Sequence, residues 1–431
     1  MSGASFSAAL IRTLLHACMA GSAVLSAQEI DTPDTERPVS AEAVAQEAGS
    51  PTTEQPLSTE AVAQEQRFRK AIDGIESDQG AYASTLSEQL LSLGLALQAQ
   101  GRHDEAVGLF KRGVHLARIN DGLYSTQQIP LLQGQISSHI ALRDYAMADE
   151  RQHYMYRVQV RNKDSIELAT ALMQQAKWQR SAYLMGIGSQ GYTRIMNMWD
   201  MYRLALNDVI AREGDASPKL LPPLHGMLEA QYLISDYDWE DQSHNSSDDL
   251  GARQDLNRFM AYRAQSYQKG SAVITAIHDI ELEREGDRGV ETAQALTMLG
   301  DWQLWHDQRD TAWRTYQDAM VELAERDDAQ LQIDHLFGEP VALPDIANLR
   351  PLPPTVDTAE ANILLEFAVN ERGRVINVER VVTLESGDEN GDRDPRAYRL
   401  MRKLRKTKFR PRFEAGQPVE TEKIVRAFNI E

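Results

Sequence analysis

The chain has 431 residues, 42% of them hydrophobic and 25% charged, with a net charge of −19. That length accommodates two or three domains, and the acidic balance excludes bulk nucleic-acid binding. Its single cysteine, Cys18, lies near the N-terminus, so the body of the chain carries no disulfide and no thiolate chemistry.

The first elements are a targeting signal and a spacer. Arg12 closes a weakly basic start, Thr13 to Leu25 is apolar, and Leu25-Ser26-Ala27 ends in small residues. This pattern predicts a signal peptide over residues 1–27 and export to the periplasm. Two alternatives stay open: a lipoprotein signal at Leu15-His16-Ala17-Cys18, and an uncleaved inner-membrane anchor. No later apolar run has the length to span a bilayer, so the mature chain is expected to have no transmembrane segment. Residues 28–66 are rich in Glu, Pro, Ser, Thr and Ala and contain a near-repeat, Val39-Ser40-Ala41-Glu42-Ala43-Val44-Ala45-Gln46-Glu47 and Leu57-Ser58-Thr59-Glu60-Ala61-Val62-Ala63-Gln64-Glu65. Too little apolar surface is present to offset the ordering entropy, which predicts a disordered acidic spacer; two short helical recognition segments are the alternative.

Residues 67–337 read as helical almost throughout. Two segments share one pattern. The first has Leu90, Leu93, Gly94 and Leu97, then Gly101, Ala106, Phe110 and Gly113. The second has Leu296, Leu299 and Gly300, then Asp307, Ala312, Tyr316 and Ala319. Small residues where two helices cross, and an aromatic sixteen positions after the first of them, suit helical hairpins that approach closely. The pattern is similar to the tetratricopeptide (TPR) motif. Between these segments, Ile136 to Val160, Ser165 to Met185, Tyr192 to Glu213 and Leu224 to Ile234 read as further helices. Phe259 to Arg284 reads as one long helix or two, for four to six hairpins in all. The resemblance implies a TPR-like solenoid whose groove binds peptides or domains; a bare spacer or dimerisation role is the alternative.

Residues 338–360 contain Arg350-Pro351-Leu352-Pro353-Pro354 and read as a linker. Residues 361–431 predict a small α+β (ββαβ) domain. Ile363, Leu365, Phe367 and Val369 alternate along a first strand, and Gly373 supplies a turn into a second strand through Val375, Ile376 and Val378. Asp394-Pro395 opens a helix with the stripe Ala397, Leu400, Met401 and Leu404. Phe409-Arg410-Pro411 stops it, and Gly416-Gln417-Pro418-Val419 leads to a last strand. This order resembles the TonB C-terminal domain family, the periplasmic end of energy transducers in Gram-negative bacteria. The resemblance implies that Thr421 to Ile430 lies at a sheet edge and takes a partner segment by strand addition, through Ile424, Arg426, Phe428 and Ile430. Gly373, Pro411 and Gly416 match the family's structural signposts, as Gly94, Ala106, Phe110, Gly300, Ala312 and Tyr316 match those of the repeat. The membrane helix of a transducer carries a Ser and a His one turn apart; here His16 has Arg12 four residues before it.

The polar residues offer no convergent chemistry. Gly188-Ser189 lacks the glycines of a nucleophile elbow, and no phosphate loop or dinucleotide fingerprint occurs. His103, His115, His139 and His153 read as surface or packing histidines, without a partner at metal-ligand spacing. The acidic run Asp236 to Asp241 lacks a glycine and any ordered ligand spacing, whereas Asp388 to Asp394 offers oxygens at alternate positions but has Arg393 and Arg399 where a calcium loop needs Gly and Glu; both read as solvated. Trp302, Trp305 and Trp313 read as core. Nine cations crowd Arg396 to Arg412 with no acid among them; Arg399, Arg402, Lys403 and Lys406 are the expected basic patch. The expectation is a mainly α, non-enzymatic periplasmic adaptor with no cofactor, no metal and no nucleic-acid partner. Its partners would be proteins or peptides of the cell envelope, with an anionic surface as a further candidate. The alternative is a TonB-type energy transducer of outer-membrane transport, retained by its N-terminal anchor.

Overall fold

The computed structural model describes residues 59–162, 167–188, 191–237, 250–285, 289–346, 349–381 and 394–430. The expected signal peptide, Cys18, most of the acidic spacer, Ser189 and most of both acidic runs lie outside the described residues. The protein is mainly helical with a small sheet region at the C-terminal end. Its described residues fall into two compact units, 59–162 and 167–430. No helix among the described residues is long and apolar enough to cross a membrane.

The first unit holds α1 (Thr59–Gln79), α2 (Leu86–Ala99), α3 (His103–Asp121), α4 (Gln128–Ala141) and α5 (Tyr145–Arg161). Helix α1 begins inside the stretch expected to be spacer, which corrects that boundary. Its sequence is mostly polar, but it buries Ile72, and Glu65 pairs with Arg102 at 2.7 Å and Glu76 pairs with Arg112 across to the next hairpin. Helices α2/α3 and α4/α5 form two hairpins. Phe110 lies between them. A Cβ on Gly94 of α2 would sit 2.4 Å from its ring, and one on Gly134 of α4 would sit 2.6 Å away. The aromatic thus fills the space between one hairpin and the next, and only glycine leaves room for it on either side. Ala106 is fully buried beside it.

The second unit begins with the hairpin α6 (Leu168–Leu184) and α7 (Gly191–Glu213). Pro218–Leu220 forms a single 3-10 turn into α8 (Leu221–Asp236). The segment expected as one helix or two is two: α9 (Leu250–Ala264) and α10 (Ser266–Glu285), broken at Gln265. Helix α9 lies outside the pairing and inserts Phe259 between Tyr192 and Tyr237, with ring centroids 5.4 and 5.1 Å apart. Helix α8 packs on α10, and α11 (Val290–Trp305) with α12 (Arg309–Ala324) forms the last hairpin before the short α13 (Ala329–Phe337). The glycine–aromatic crossing recurs: Gly226 against Tyr202, Gly270 against Trp302, and Gly300 against Tyr316, each leaving only 2.3 Å for a Cβ. Trp302 is fully buried, Trp305 and Trp313 are partly buried beside the core, and all three serve packing as expected.

The tail contains β1 (Val341–Ala342), β2 (Ile363–Val369), β3 (Val375–Arg380), α14 (Pro395–Lys406), β4 (Phe409–Arg410), β5 (Arg412–Glu414), β6 (Gln417–Val419) and β7 (Thr421–Phe428). The main sheet is antiparallel with the order β3-β2-β7. Ile363, Leu365, Phe367 and Val369 face a core completed by Ala397, Leu400 and Leu404 of α14. Asp394 caps that helix by accepting from Arg396 N at 2.9 Å. The Gly373 turn has φ +71°, and a Cβ there would lie 2.0 Å from the Phe409 carbonyl oxygen, so glycine is required twice over. Two further pieces supplement the expected ββαβ order. Strand β1 pairs with β4, and β5 and β6 form a hairpin whose turn residues, Ala415 and Gly416, both have positive φ. Residues 338–360 are therefore no free linker: Leu343 is fully buried, and Thr355 bridges Phe428.

Candidate functional site

Three features of the second unit bear on function: the joint between the last hairpin and the tail, the edge of β7, and the outer face of α14. The joint is built on Arg410, which the helix-stopping Phe409-Arg410-Pro411 places in β4. Its guanidinium donates to Asp301 Oδ2 of α11 at 2.6 Å, and the side chains are 4% and 5% exposed. Tyr316 Oη donates to Asp301 Oδ1 at 2.7 Å, and Asp345 stands 3.5 Å from Arg410 on the other side. Burial pushes the Asp301 carboxyl up from its ordinary range, and Arg410 opposes this. Around the pair, Phe413 of β5 packs edge-on against Trp313, Tyr316 and Phe337. Lys408 donates to the Trp305 carbonyl at 2.6 Å and pairs with Asp307 at 3.0 Å. Gln317 of α12 donates to the Gly416 carbonyl at 2.8 Å. The tail is thus seated on the last hairpin by ions, rings and backbone groups together.

Strand β7 is an edge of the main sheet, but only half of it is open. The Ala427 carbonyl accepts from Val356 N at 3.0 Å, so the strap through Thr355 closes the C-terminal end. The alternation of antiparallel pairing turns the backbone groups of Val425 outward, away from β2. The edge is interrupted at Lys423, whose φ of +56° accompanies a register shift opposite Phe367 and Val369. The four residues expected to meet a partner do otherwise. Phe428 is fully buried in the sheet–helix core, and Ile424 and Ile430 pack against that core. Arg426 turns back and donates to the Pro340 carbonyl at 3.2 Å. Strand pleating explains the correction: Ile424, Arg426 and Phe428 pair with Phe367, Leu365 and Ile363 and share their inward face, while the irregularity at Lys423 puts Glu422 out of that phase, so a partner at this edge would meet Glu422, Lys423 and Val425, the last 50% exposed.

The basic patch stands where the sequence puts it. Arg399, Arg402, Lys403, Arg405 and Lys406 are all exposed on α14, opposite the buried stripe. Tyr398 lies among them, 66% exposed. Among the described residues no carboxylate pairs with these five cations, whereas Arg396 is held by Asp394 at 3.2 Å. Successive cations three and four positions apart repel, at a cost of about 0.2–0.5 kcal/mol per pair.

The histidines are placed differently from expectation in one respect. His139 lies 3.1 Å from Asp144, and His153 lies 3.7 Å from Asp149 one turn earlier. Each has a single acidic neighbour, and among the described residues no group of three ligating side chains converges. Helix-crossing residues were legible from spacing, but the Arg410–Asp301 pair and the half-closed edge were not. The only local signal for the pair was an arginine inside an apolar-flanked break, Phe409-Arg410-Pro411. No family model matches the chain, and no curated protein matches it.

Proposed function

We propose that this chain is a non-enzymatic, exported binding adaptor of the cell envelope. In this reading the paired helices are TPR-like and hold one partner, while the C-terminal region acts as a TonB C-terminal-like domain and docks a second. The observation that carries the reading is the exposed first half of β7, with Val425 turned outward on a sheet seated on the last hairpin. Strand addition there would use main-chain hydrogen bonds for affinity and the flanking side chains for choice. The bulge at Lys423 and the closed end limit the added segment to a few residues, and the cations of α14 favour an acidic one.

Photo-crosslinking residues placed at Glu422 and Val425 in cells test this, with Phe337, which is buried, as the control. Adducts to one defined envelope protein from both edge positions are expected. Crosslinks confined to the chain itself would refute the docking role. Sequencing the mature N-terminus decides the anchored alternative, because a chain starting near Gln28 has lost the segment a transducer needs.

A further inference from the structure

A cavity of about 600 Å³ opens between α13, β1 and the strap of residues 350–355, with Arg350, Arg410 and Arg426 in its lining. Leu336, Val341, Leu352 and prolines of the strap supply apolar walls. The size and the mix of apolar wall with a few charged groups are those of small-ligand sites. The three arginines are not equivalent, and Arg350 is exposed to solvent. Arg410 is already matched by Asp301 at 2.6 Å and Asp345 at 3.5 Å. Among the described residues Arg426 has no carboxylate in ion-pair range and makes one hydrogen bond, to the Pro340 carbonyl at 3.2 Å. Enclosure has stripped enough water from it to lower its pKa, with Glu339 offsetting this only in part. Its other donors are neither bonded nor sealed from the cavity among the described residues.

A half-desolvated guanidinium with free donors is a fork shaped for a planar anion. Asp334, Glu339 and Asp345 also line the cavity and disfavour a second negative charge on the ligand. One half-enclosed cation without a paired carboxylate, apolar walls and an acidic surround together select a monoanion carried on an apolar body. We infer that this cavity binds the carboxylate of an apolar organic acid or peptide C-terminus, with Arg426 as its anion clamp. The site is separate from the free edge of β7 and the outer face of α14, so it does not depend on the adaptor reading.

The test uses the full chain and two matched probe sets at equal concentration: mixed N-acetyl tripeptides of apolar residues with free C-termini, and the same peptides as amides. N-acetyl-leucine serves as the small-acid arm. Calorimetric titration should show the free acids binding at least about tenfold more tightly than the amides, and Arg426→Gln should remove that preference. Arg399→Gln, on the outer face of α14, should leave it intact. If Arg426→Gln does not fold, phenylglyoxal labelling of the unaltered protein replaces it, read by mass spectrometry. The free acids should then slow labelling of Arg426 at least about threefold, and not that of Arg399. Equal affinity for acids and amides, no binding of either, or unchanged labelling would overturn the inference. Tighter binding of the tripeptides than of N-acetyl-leucine assigns the site to a peptide terminus; the reverse assigns it to a small acid.

Discussion

Gly300 and Gly108 are both helical glycines, and the chain uses them for opposite reasons. A Cβ on Gly300 would meet the Tyr316 ring at 2.3 Å, whereas one on Gly108 meets nothing within 4 Å. Gly300→Ala should therefore cost about 1–3 kcal/mol through overpacking, and Gly108→Ala should be worth up to about 1 kcal/mol in the other direction. Thermal melts of the two variants check the signs, and a destabilised Gly108→Ala would break the argument. Arg410 poses a sharper case. Arg410→Met leaves Asp301 buried without its cation, a loss of about 3–5 kcal/mol. Hydrogen exchange should show the amides of β2 and β7 losing protection in this variant. Replacing both partners, as Asp301→Leu with Arg410→Met, should restore much of it, because the cost lies in the uncompensated charge. The glycine contacts were legible as spacing, since Gly94 and Phe110 sit on neighbouring helices of one hairpin. The ion pair was not, because its members are 109 positions apart and neither has a local pattern that names the other.

At the scale of the element, α14 shows how one helix serves two purposes. Its inner stripe follows the 3.6-residue period and was readable at once: Ala397, Leu400 and Leu404 are buried at 4%, 4% and 0% exposure. Its outer face is self-repelling. Arg399→Glu places an acid three and four residues before Arg402 and Lys403, which should stabilise the helix by about 0.2–0.5 kcal/mol per pair. Under the adaptor reading the same change should weaken capture of an acidic partner, so stability would rise while binding falls. A variant that is more stable and binds equally well would show the face to be merely solvated. Strand β7 gives the opposite lesson. Its alternation was correct, but alternation alone does not say which face meets the core. The pairing of Ile363 with Phe428 and Phe367 with Ile424 turned the expected contact residues inward.

At the scale of the molecule, the junction between the last hairpin and the tail should respond to acid. His306 ends α11 against Trp302 and Tyr267, with ring centroids 4.4 and 5.3 Å away. Burial, aided by Lys408, pushes its pKa down from 6.5 to about 4, although Asp307 pulls the other way. The unfolded chain thus takes up this proton more readily than the folded one. The histidine's contribution to stability is complete above about pH 6.5 and is lost as the pH falls toward 4. His306→Gln should flatten that part of the stability profile relative to the unaltered protein, measured by denaturant melts at pH 4 to 7. Identical profiles would mean that His306 is not the sensitive group.

Periodicity and turn chemistry by themselves determined the mainly helical character, the crossing points at Gly94 and Gly300, the cap at Asp394 and the turn at Gly373. These depend on neighbours within one or two elements, where spacing is geometry. Only the tertiary structure decided that residues 338–360 are packed, that the end of β7 is closed by Thr355 and Val356, and that Arg426 faces a cavity. Each of these rests on groups far apart in the chain, whose meeting is set by how whole elements seat on one another and not by any local pattern.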